Sequence, residues 1–143
     1  MASGKFNYDD FRSFSNNFKL AYSQFDKWIH AFLLKEGMRF IRGVKPRTPV
    51  DTGDLRNHWH IDDTSGIVRQ GDTLKVWFIN PMYYATFVEY GHAKPYKSGA
   101  GPGSADWVEG YFMMTITLDQ INRSMPARFD KELSIFLKSL KVM

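Results

Sequence analysis

The sequence predicts an α+β fold in which a long N-terminal helix packs on a small antiparallel β-sheet, with a short helix and C-terminal helices. Three observations lead to this prediction: helical spacing of apolar residues in the first third, short β-branched and aromatic runs between turn residues in the middle, and helical spacing again near the end. The 143 residues are 43% hydrophobic and 16% aromatic, which is enough for one core. We therefore expect a single domain over residues 1–143.

The N-terminal helix is indicated by large apolar residues spaced three or four positions apart. They are Phe11, Phe14, Phe18, Tyr22, Phe25, Trp28, Ile29, Phe32 and Leu33. Asp9, Asp10 or Ser13 can cap its start. Pro46 is expected to stop it, because proline lacks the amide donor. Gly37 lies inside the pattern, where it either permits a close backbone approach or is a kink or a tolerated defect.

Three short strands are predicted in the middle of the chain, each rich in Trp, Ile, Val or Phe and separated from the next by turn residues. They cover residues 57–61, 66–70 and 73–80. This order predicts a β-meander. The last strand is apolar on both faces near its end, with Phe78 on one face and Trp77 and Ile79 on the other, so we expect both faces to be covered.

The rest of the chain predicts three helices and a loop. A short helix is expected over residues 82–92, ended by Gly91. The glycine-rich residues 97–104 are expected to form a flexible loop. A helix is predicted over residues 107–121 by its spacing, and the Ser-x-Pro sequence at 124–126 predicts the start of a last helix. Its inward residues are expected to be Phe129, Leu133, Phe136, Leu137 and Leu140.

Charge and composition restrict the function. The net charge is +4, and residues 1–48 carry nine Lys and Arg against four Asp and Glu. This excess indicates either a solvated helix face or contact with an acidic partner or a nucleic acid. The absence of cysteine excludes disulfides and thiolate sites. No apolar run approaches the roughly 20 residues that span a bilayer, and the polar start is unlike a signal peptide, so no membrane partner is expected.

No recognisable catalytic motif occurs in the sequence. His58 and His60 would share one face of a predicted strand, with the acidic residues 62–63 nearby, which could begin a metal site. No third spaced ligand is evident, and the alternative is the polar face of a strand. Nucleophile motifs are missing, and the glycines of 97–104 lack the other residues of a phosphate-binding loop. The sequence therefore predicts a binding or assembly protein, not an enzyme, with no cofactor.

Two motifs together resemble one protein family. The first motif is TPVDTGDLR at residues 48–56, and the second motif is YATFVEYGH at residues 84–92. Placed after a long helix and on either side of the predicted strands, they resemble the tail-completion or neck proteins of long-tailed bacteriophages and related prophage elements. The resemblance covers about residues 18–141, so that residues 1–17 are interpreted as an N-terminal extension.

The resemblance implies a non-enzymatic virion protein that binds no cofactor. It implies a subunit of a ring at the head–tail junction or at the head-proximal end of the tail, assembled in the cytoplasm of the bacterial host. A hexamer is expected, or a dodecamer if the ring follows the connector. The implied partners are further copies of the chain, neighbouring neck, connector or tail-tube proteins and, through non-specific contact, the passing DNA.

The two motifs also supply the candidate subunit-interface residues. They are Thr52, Gly53, Leu55, Arg56, Tyr84, Phe87, Val88, Glu89, Tyr90, Gly91 and His92. We expect the aromatic and apolar members of the second motif to lie at the centre of an interface. Glu89 and Arg56 are expected to pair, either across a subunit boundary or within the chain. Gly53 is expected to take a positive φ, with Thr52 capping the next turn.

Two other functions stay open from the sequence. The basic N-terminal third and the many aromatic residues are also typical of a nucleic-acid-binding module. The affinity of such a module would fall steeply with salt, whereas assembly driven by apolar patches would not. The second is a metal-dependent hydrolase built around His58, His60 and Asp62.

Overall fold

The computed structural model describes residues 8–62, 67–71, 73–95 and 99–140. Two long helices dominate it, α1 (Tyr8–Arg47) and the C-terminal helix Met113–Ser139. Short helices and two-stranded antiparallel sheets lie between them, which confirms the predicted α+β class with helix in excess. The chain divides into two compact units: one contains the described residues up to Phe32 and from Pro126 onward, and the other contains Leu33–Met125.

Helix α1 is longer than the apolar pattern predicts at both ends. Asp9, Asp10 and Ser13 all lie inside it, so none of them is the predicted cap. Pro46 also lies inside, in the last turn, and the helix ends one residue later. A proline there removes only one backbone bond, close to the helix end, where the last carbonyls need other partners in any case. One such partner is Thr48, whose N–H donates to the Lys45 carbonyl over 3.1 Å.

An aromatic cluster around Trp28 forms the core of the first unit. Trp28 stacks on Phe32 with ring centroids 5.8 Å apart and on Phe136 with centroids 5.3 Å apart, and it also contacts Phe129. This confirms that Phe129 and Phe136 face inward. The predicted apolar face is not buried throughout, since Phe18 and Tyr22 are exposed. The side chains of Phe11 and Phe14, which belong to the same pattern, lie outside the described residues.

The middle strands form two two-stranded antiparallel sheets, so the predicted three-stranded meander is wrong. The elements are α2 (Asp54–Asn57), β1 (His60–Ile61), β2 (Ile67–Gln70), β3 (Thr73–Val76) and β4 (Phe78–Ile79). β2 pairs with β3 across the turn at Gly71, and β1 pairs with β4, His60 opposite Ile79. β1 therefore pairs with β4 and not with β2, the next strand in the sequence. Asn57 belongs to α2, not to a strand.

The core of the second unit joins α1 to β4. Phe40 is fully buried, and its ring stacks on Phe78 with centroids 4.1 Å apart. A Cβ at Gly37 would lie 2.7 Å from the Cδ1 of Ile61, so this glycine permits the predicted close approach of helix and strand. The outer face of β4 is different: Ile79 and the neighbouring Trp77 remain partly exposed, and the expectation that both faces are covered is wrong.

The C-terminal half departs furthest from the predictions. After α3 (Ala85–Tyr90), strands β5 (Gly91–Ala93) and β6 (Trp107–Glu109) pair as a hairpin that the sequence analysis did not predict. The glycine-rich segment is the connection of this hairpin, and residues 96–98 within it lie outside the described residues.

A single helix, α4 (Met113–Ser139), replaces the two predicted C-terminal helices. Trp107 lies in β6 and not in a helix, so the predicted helix over residues 107–121 starts later than expected. The prediction that a new helix starts at Ser124 and Pro126 is wrong, because both residues lie inside α4. The Ser124 hydroxyl donates to the Gln120 carbonyl over 3.0 Å within the turn before the proline. The Ser-x-Pro sequence does not start a helix here, because apolar residues of α4 before and after it pack into the cores of the two units. This packing outweighs the local helix-start preference.

Candidate functional site

The two motifs form one surface of the second unit. Leu55 of the first motif is buried in its core, and Tyr84, Ala85 and Val88 of the second motif pack against the same core. A groove of about 470 Å³ opens between them, lined by residues 49–55 and by Tyr83, Tyr84 and Val88. Segments that are separated in sequence are therefore joined by a shared core.

The first motif turns the chain from α1 into α2. Gly53 has the predicted positive φ, at 91°. The Thr52 hydroxyl accepts the Asp54 N–H over 3.3 Å and donates to Asp54 Oδ2 over 2.8 Å. The Asn57 N–H then donates to the Gly53 carbonyl over 3.0 Å, closing one helical turn. Gly53 thus has the predicted conformation. It also occupies the N-cap position of α2 itself, so Thr52 binds Asp54 at the start of the helix without being the predicted cap residue.

Arg56 connects the first motif to the end of α1. Its Nη2 donates to the Thr48 carbonyl over 2.9 Å, while its Nε is buried without a hydrogen-bond partner among the described residues. Asn80 adds a connection that the sequence analysis missed: its Nδ2 donates to the Leu55 carbonyl over 2.7 Å, and its Oδ1 accepts the Met82 N–H. An asparagine before a proline is a turn signal, but the sequence does not reveal its distant partner.

Glu89 is a buried carboxylate that holds the start of α4. It is 3% exposed. Its Oε2 accepts the Met114 N–H over 2.9 Å, and its Oε1 accepts the N–H and the hydroxyl of Thr115 over 2.9 and 2.6 Å. A negative charge at a helix N-terminus satisfies amides that have no partner in the helix and interacts favourably with the helix dipole. Glu89 and Arg56 are each bound elsewhere in the subunit, so they do not form the intrachain pair that was one of the two alternatives.

Gly91 ends α3 as predicted and allows β5 to pass close to β6. Its φ is 88°, and a Cβ there would lie 2.5 Å from the Val108 carbonyl oxygen and 2.8 Å from Trp107 Nε1. No side chain fits in that space. His92 follows, with its ring 6.1 Å from the ring of Phe87 and its Nδ1 buried without a partner among the described residues.

The exposed part of the site is aromatic. Phe87 and Tyr90 are each 53% exposed on α3, whereas Tyr84 and Val88 are half-buried against the core. Two further aromatic residues lie beside α3, since the Tyr111 N–H donates to the Val88 carbonyl and the Phe112 N–H donates to the Glu89 carbonyl. We call Phe87, Tyr90, Tyr111 and Phe112 the aromatic surface. Phe112 is not among the residues predicted from the sequence, because the predicted helix over residues 107–121 includes it, whereas α4 starts only at Met113.

Phe112 has an unusual backbone. Its φ is 48°, in the left-handed region that bulky residues rarely adopt, and it is the only non-glycine residue with a positive φ in the described part of the chain. Its ring lies 6.5 Å from the ring of Tyr90 at 77°. The N–H groups of Tyr111 and Phe112 donate to α3, and Glu89 binds the start of α4 just after Phe112. These contacts hold the strained residue in place.

Among the described residues, the histidines do not form the metal site that the sequence left open. His58 precedes β1, so it does not share a strand face with His60. Their Nδ1 atoms lie 2.6 and 2.7 Å from the carbonyl oxygens of Asp54 and His58. Within the described ranges, which exclude Asp63, no group of three or more His, Asp or Glu residues is placed to hold a metal ion.

A comparison with protein families identifies the chain. A family model described as bacteriophage HK97-gp10, a proposed tail component, matches residues 12–91. The chain belongs to the HK97-gp10-like family. The matched range contains the first motif completely and the second motif up to Gly91. It begins at residue 12, earlier than the resemblance predicted, and it ends at residue 91, well before the predicted residue 141. Comparisons with curated proteins and with solved structures found no significant match.

Membership of the HK97-gp10-like family gives the general function. The family is described as a proposed component of the phage tail, which implies a location in the virion and contact with other phage structural proteins. Among the described residues, no helix is long and apolar enough to cross a membrane.

Proposed function

We propose that the chain is a non-enzymatic subunit of a ring at the head–tail junction, or at the head-proximal end of the tail, of a phage or phage-like particle. The observation that carries the proposal is the family match over residues 12–91, which contains the first motif and the second motif up to Gly91. A hexamer is the expected form, or a dodecamer if the ring follows the connector.

The surface of the second motif supports a docking role. Exposed aromatic side chains are enriched at the centres of protein interfaces and depleted elsewhere on protein surfaces. The aromatic surface presents four of them on a support fixed by α3 and by the start of α4. A neighbouring neck, connector or tail-tube protein would bury these rings. In this arrangement Leu55, Gly53 and Gly91 shape the surface from within the subunit.

The polar groups of the site support a structural role over a catalytic one. A catalytic carboxylate needs access to substrate, and Glu89 instead is buried and accepts three hydrogen bonds from α4. Arg56 likewise donates to a backbone carbonyl of its own subunit. Both residues therefore maintain the shape of the subunit.

The charge on α1 supports contact with passing DNA. Most of the basic excess of residues 1–48 lies on this helix, and Lys19 and Lys27 are exposed. Exposed cations attract phosphates without base specificity. A ring with such helices toward its channel would let DNA pass without binding it at one sequence.

A gene-deletion experiment tests the proposal. In a host that produces the particle, deletion of this reading frame is expected to give filled heads and tails that do not join, or tails with a defective head-proximal end. Electron microscopy is used to count each kind of particle. Expression of the intact chain from a plasmid is the control, and it is expected to restore joined particles. Normal infectious particles without the chain would overturn the proposed function.

A further inference from the structure

The groove between the two motifs is acidic and apolar at once. Its lining, residues 49–55 with Tyr83, Tyr84 and Val88, includes two carboxylates, Asp51 and Asp54, and no basic residue. Tyr83 is 86% exposed and contacts Tyr84 edge to face, with ring centroids 5.1 Å apart. We call this feature the acidic groove.

Its chemistry selects a cationic side chain flanked by apolar ones. A carboxylate forms a strong charge-assisted hydrogen bond with a guanidinium or an ammonium group. The face of a tyrosine ring attracts the same cation, and exposed apolar atoms such as those of Val50 bind aliphatic neighbours. The groove therefore favours an arginine or lysine carried on an apolar helix face.

The second unit carries such a helix face on α1. Leu34, Met38 and Arg42 are four residues apart, so they lie in one row along the helix. Leu34 and Met38 are about half exposed, and Arg42 is exposed. The core-facing residues of α1, such as Phe40 and Val44, occupy a different face. We call Leu34, Met38 and Arg42 the basic row; none of them lines the acidic groove.

We propose that the acidic groove binds the basic row of a second copy of this chain. Charge complementarity identifies the occupant: residues 1–48 carry an excess of positive charge, and the groove carries only negative charge. The two surfaces are different, so the contact is heterologous and repeats from copy to copy, closing into a ring if the rotation allows. This inference rests on the proposed function, because it names one of the contacts that a ring requires.

A charge exchange tests the contact. The full chain is studied by sedimentation velocity from about 1 μM to about 1 mM, the range of weak protein contacts. Wild type is expected to self-associate. Asp51→Arg and Arg42→Asp are each expected to weaken association at least tenfold, and the double variant is expected to recover most of the loss because the pair is restored with its charges exchanged.

Two further variants complete the design. Lys131→Asp changes the charge by the same amount as Arg42→Asp at an exposed position of α4 outside the basic row, and association is expected to stay near the wild-type value. Tyr83→Ser removes an exposed ring from the groove with little effect on folding, and it is expected to weaken association. Circular dichroism checks that every variant is folded.

Specific results would overturn the inference. They are a wild-type chain that stays monomeric over the whole concentration range, a double variant no stronger than the single ones, or an equal loss in Lys131→Asp. None of these would affect the deletion experiment. If deletion separates heads from tails while the chain stays monomeric, the ring function is retained and the groove contact is rejected.

Discussion

Glu89 shows how a residue chosen for an interface acts within the subunit. A buried carboxylate is costly unless hydrogen bonds satisfy it, and here three donors of α4 do so. Glu89→Gln keeps the shape but turns an NH₂ group toward backbone donors. We expect the free energy of unfolding to fall by about 1–3 kcal/mol, measured by urea denaturation.

Glu109→Gln is the matched control for that prediction. It makes the same chemical change at an exposed position on β6, where the expected change is within about 0.5 kcal/mol. A Glu89→Gln protein as stable as the Glu109→Gln protein would contradict the capping role.

Substitution of Gly91 tests whether β5 needs a glycine to pass close to β6. Gly91→Ala places a Cβ against the Val108 carbonyl and Trp107 Nε1 and also strains a φ of 88°. Gly99→Ala is the control, because its φ of 83° is similar and nothing lies within 4 Å of its Cβ. We expect a loss of about 1–2 kcal/mol at Gly99 from the backbone alone and a clearly larger loss at Gly91 in urea denaturation. Equal losses would contradict the steric argument.

Residue type predicted some of these roles and not others. The positive φ of Gly53 and the helix end at Gly91 follow from local rules for glycine, which need no knowledge of the fold. The partner of Glu89 could not be predicted in the same way. It lies 25 residues further on, at Met114, and the start of α4 had been placed too early in the sequence.

Among the elements, periodic helices were predicted well and short strand pairs were not. The apolar spacing of α1 extends over many turns and dominates local signals such as Pro46. β5 and β6 are three residues each, and they pair across a long glycine-rich connection. Strands of three residues are too short to show the alternating pattern that identifies a strand. Trp107 was therefore assigned to a helix because its spacing happened to fit one. Non-local pairing decides their structure.

The aromatic surface contains one residue with a strained backbone. Phe112 has a φ of 48° and an exposed ring. Phe112→Gly removes both the ring and the strain, whereas Phe112→Ala removes the ring alone. We expect the glycine variant to be about 1 kcal/mol more stable than the alanine variant in urea denaturation. Both are expected to enter particles less efficiently than wild type, measured by the amount of the chain in purified virions.

The Gly and Ala variants of Phe112 separate the effect of backbone strain from the effect of the ring. If the strain is absent in solution, the two proteins unfold at the same urea concentration. If the ring is not part of an interface, both variants enter particles as well as wild type does. The first result would reject the backbone strain at Phe112, and the second would reject its docking role.

At the scale of the whole molecule, the two motifs and the basic helix α1 are expected to make different kinds of contact. The polar side chains of the motifs stabilise the second unit, and their aromatic rings are exposed. Helix α1 carries most of the excess positive charge. Apolar surface gives contacts that salt weakens little, and exposed cations give contacts that salt weakens strongly. Protein partners and DNA are therefore expected to respond differently to the same change in ionic strength.

A salt titration with duplex DNA makes this difference measurable. We expect weak binding by the full chain, with the logarithm of the association constant falling linearly with the logarithm of salt concentration as counterions are released. Lys19→Gln and Lys27→Gln are each expected to reduce the slope by about 1 if that lysine contacts a phosphate. Lys131→Gln on α4 is the control and is expected to leave the slope unchanged. Affinity independent of salt would exclude a phosphate contact, because release of counterions is its necessary consequence.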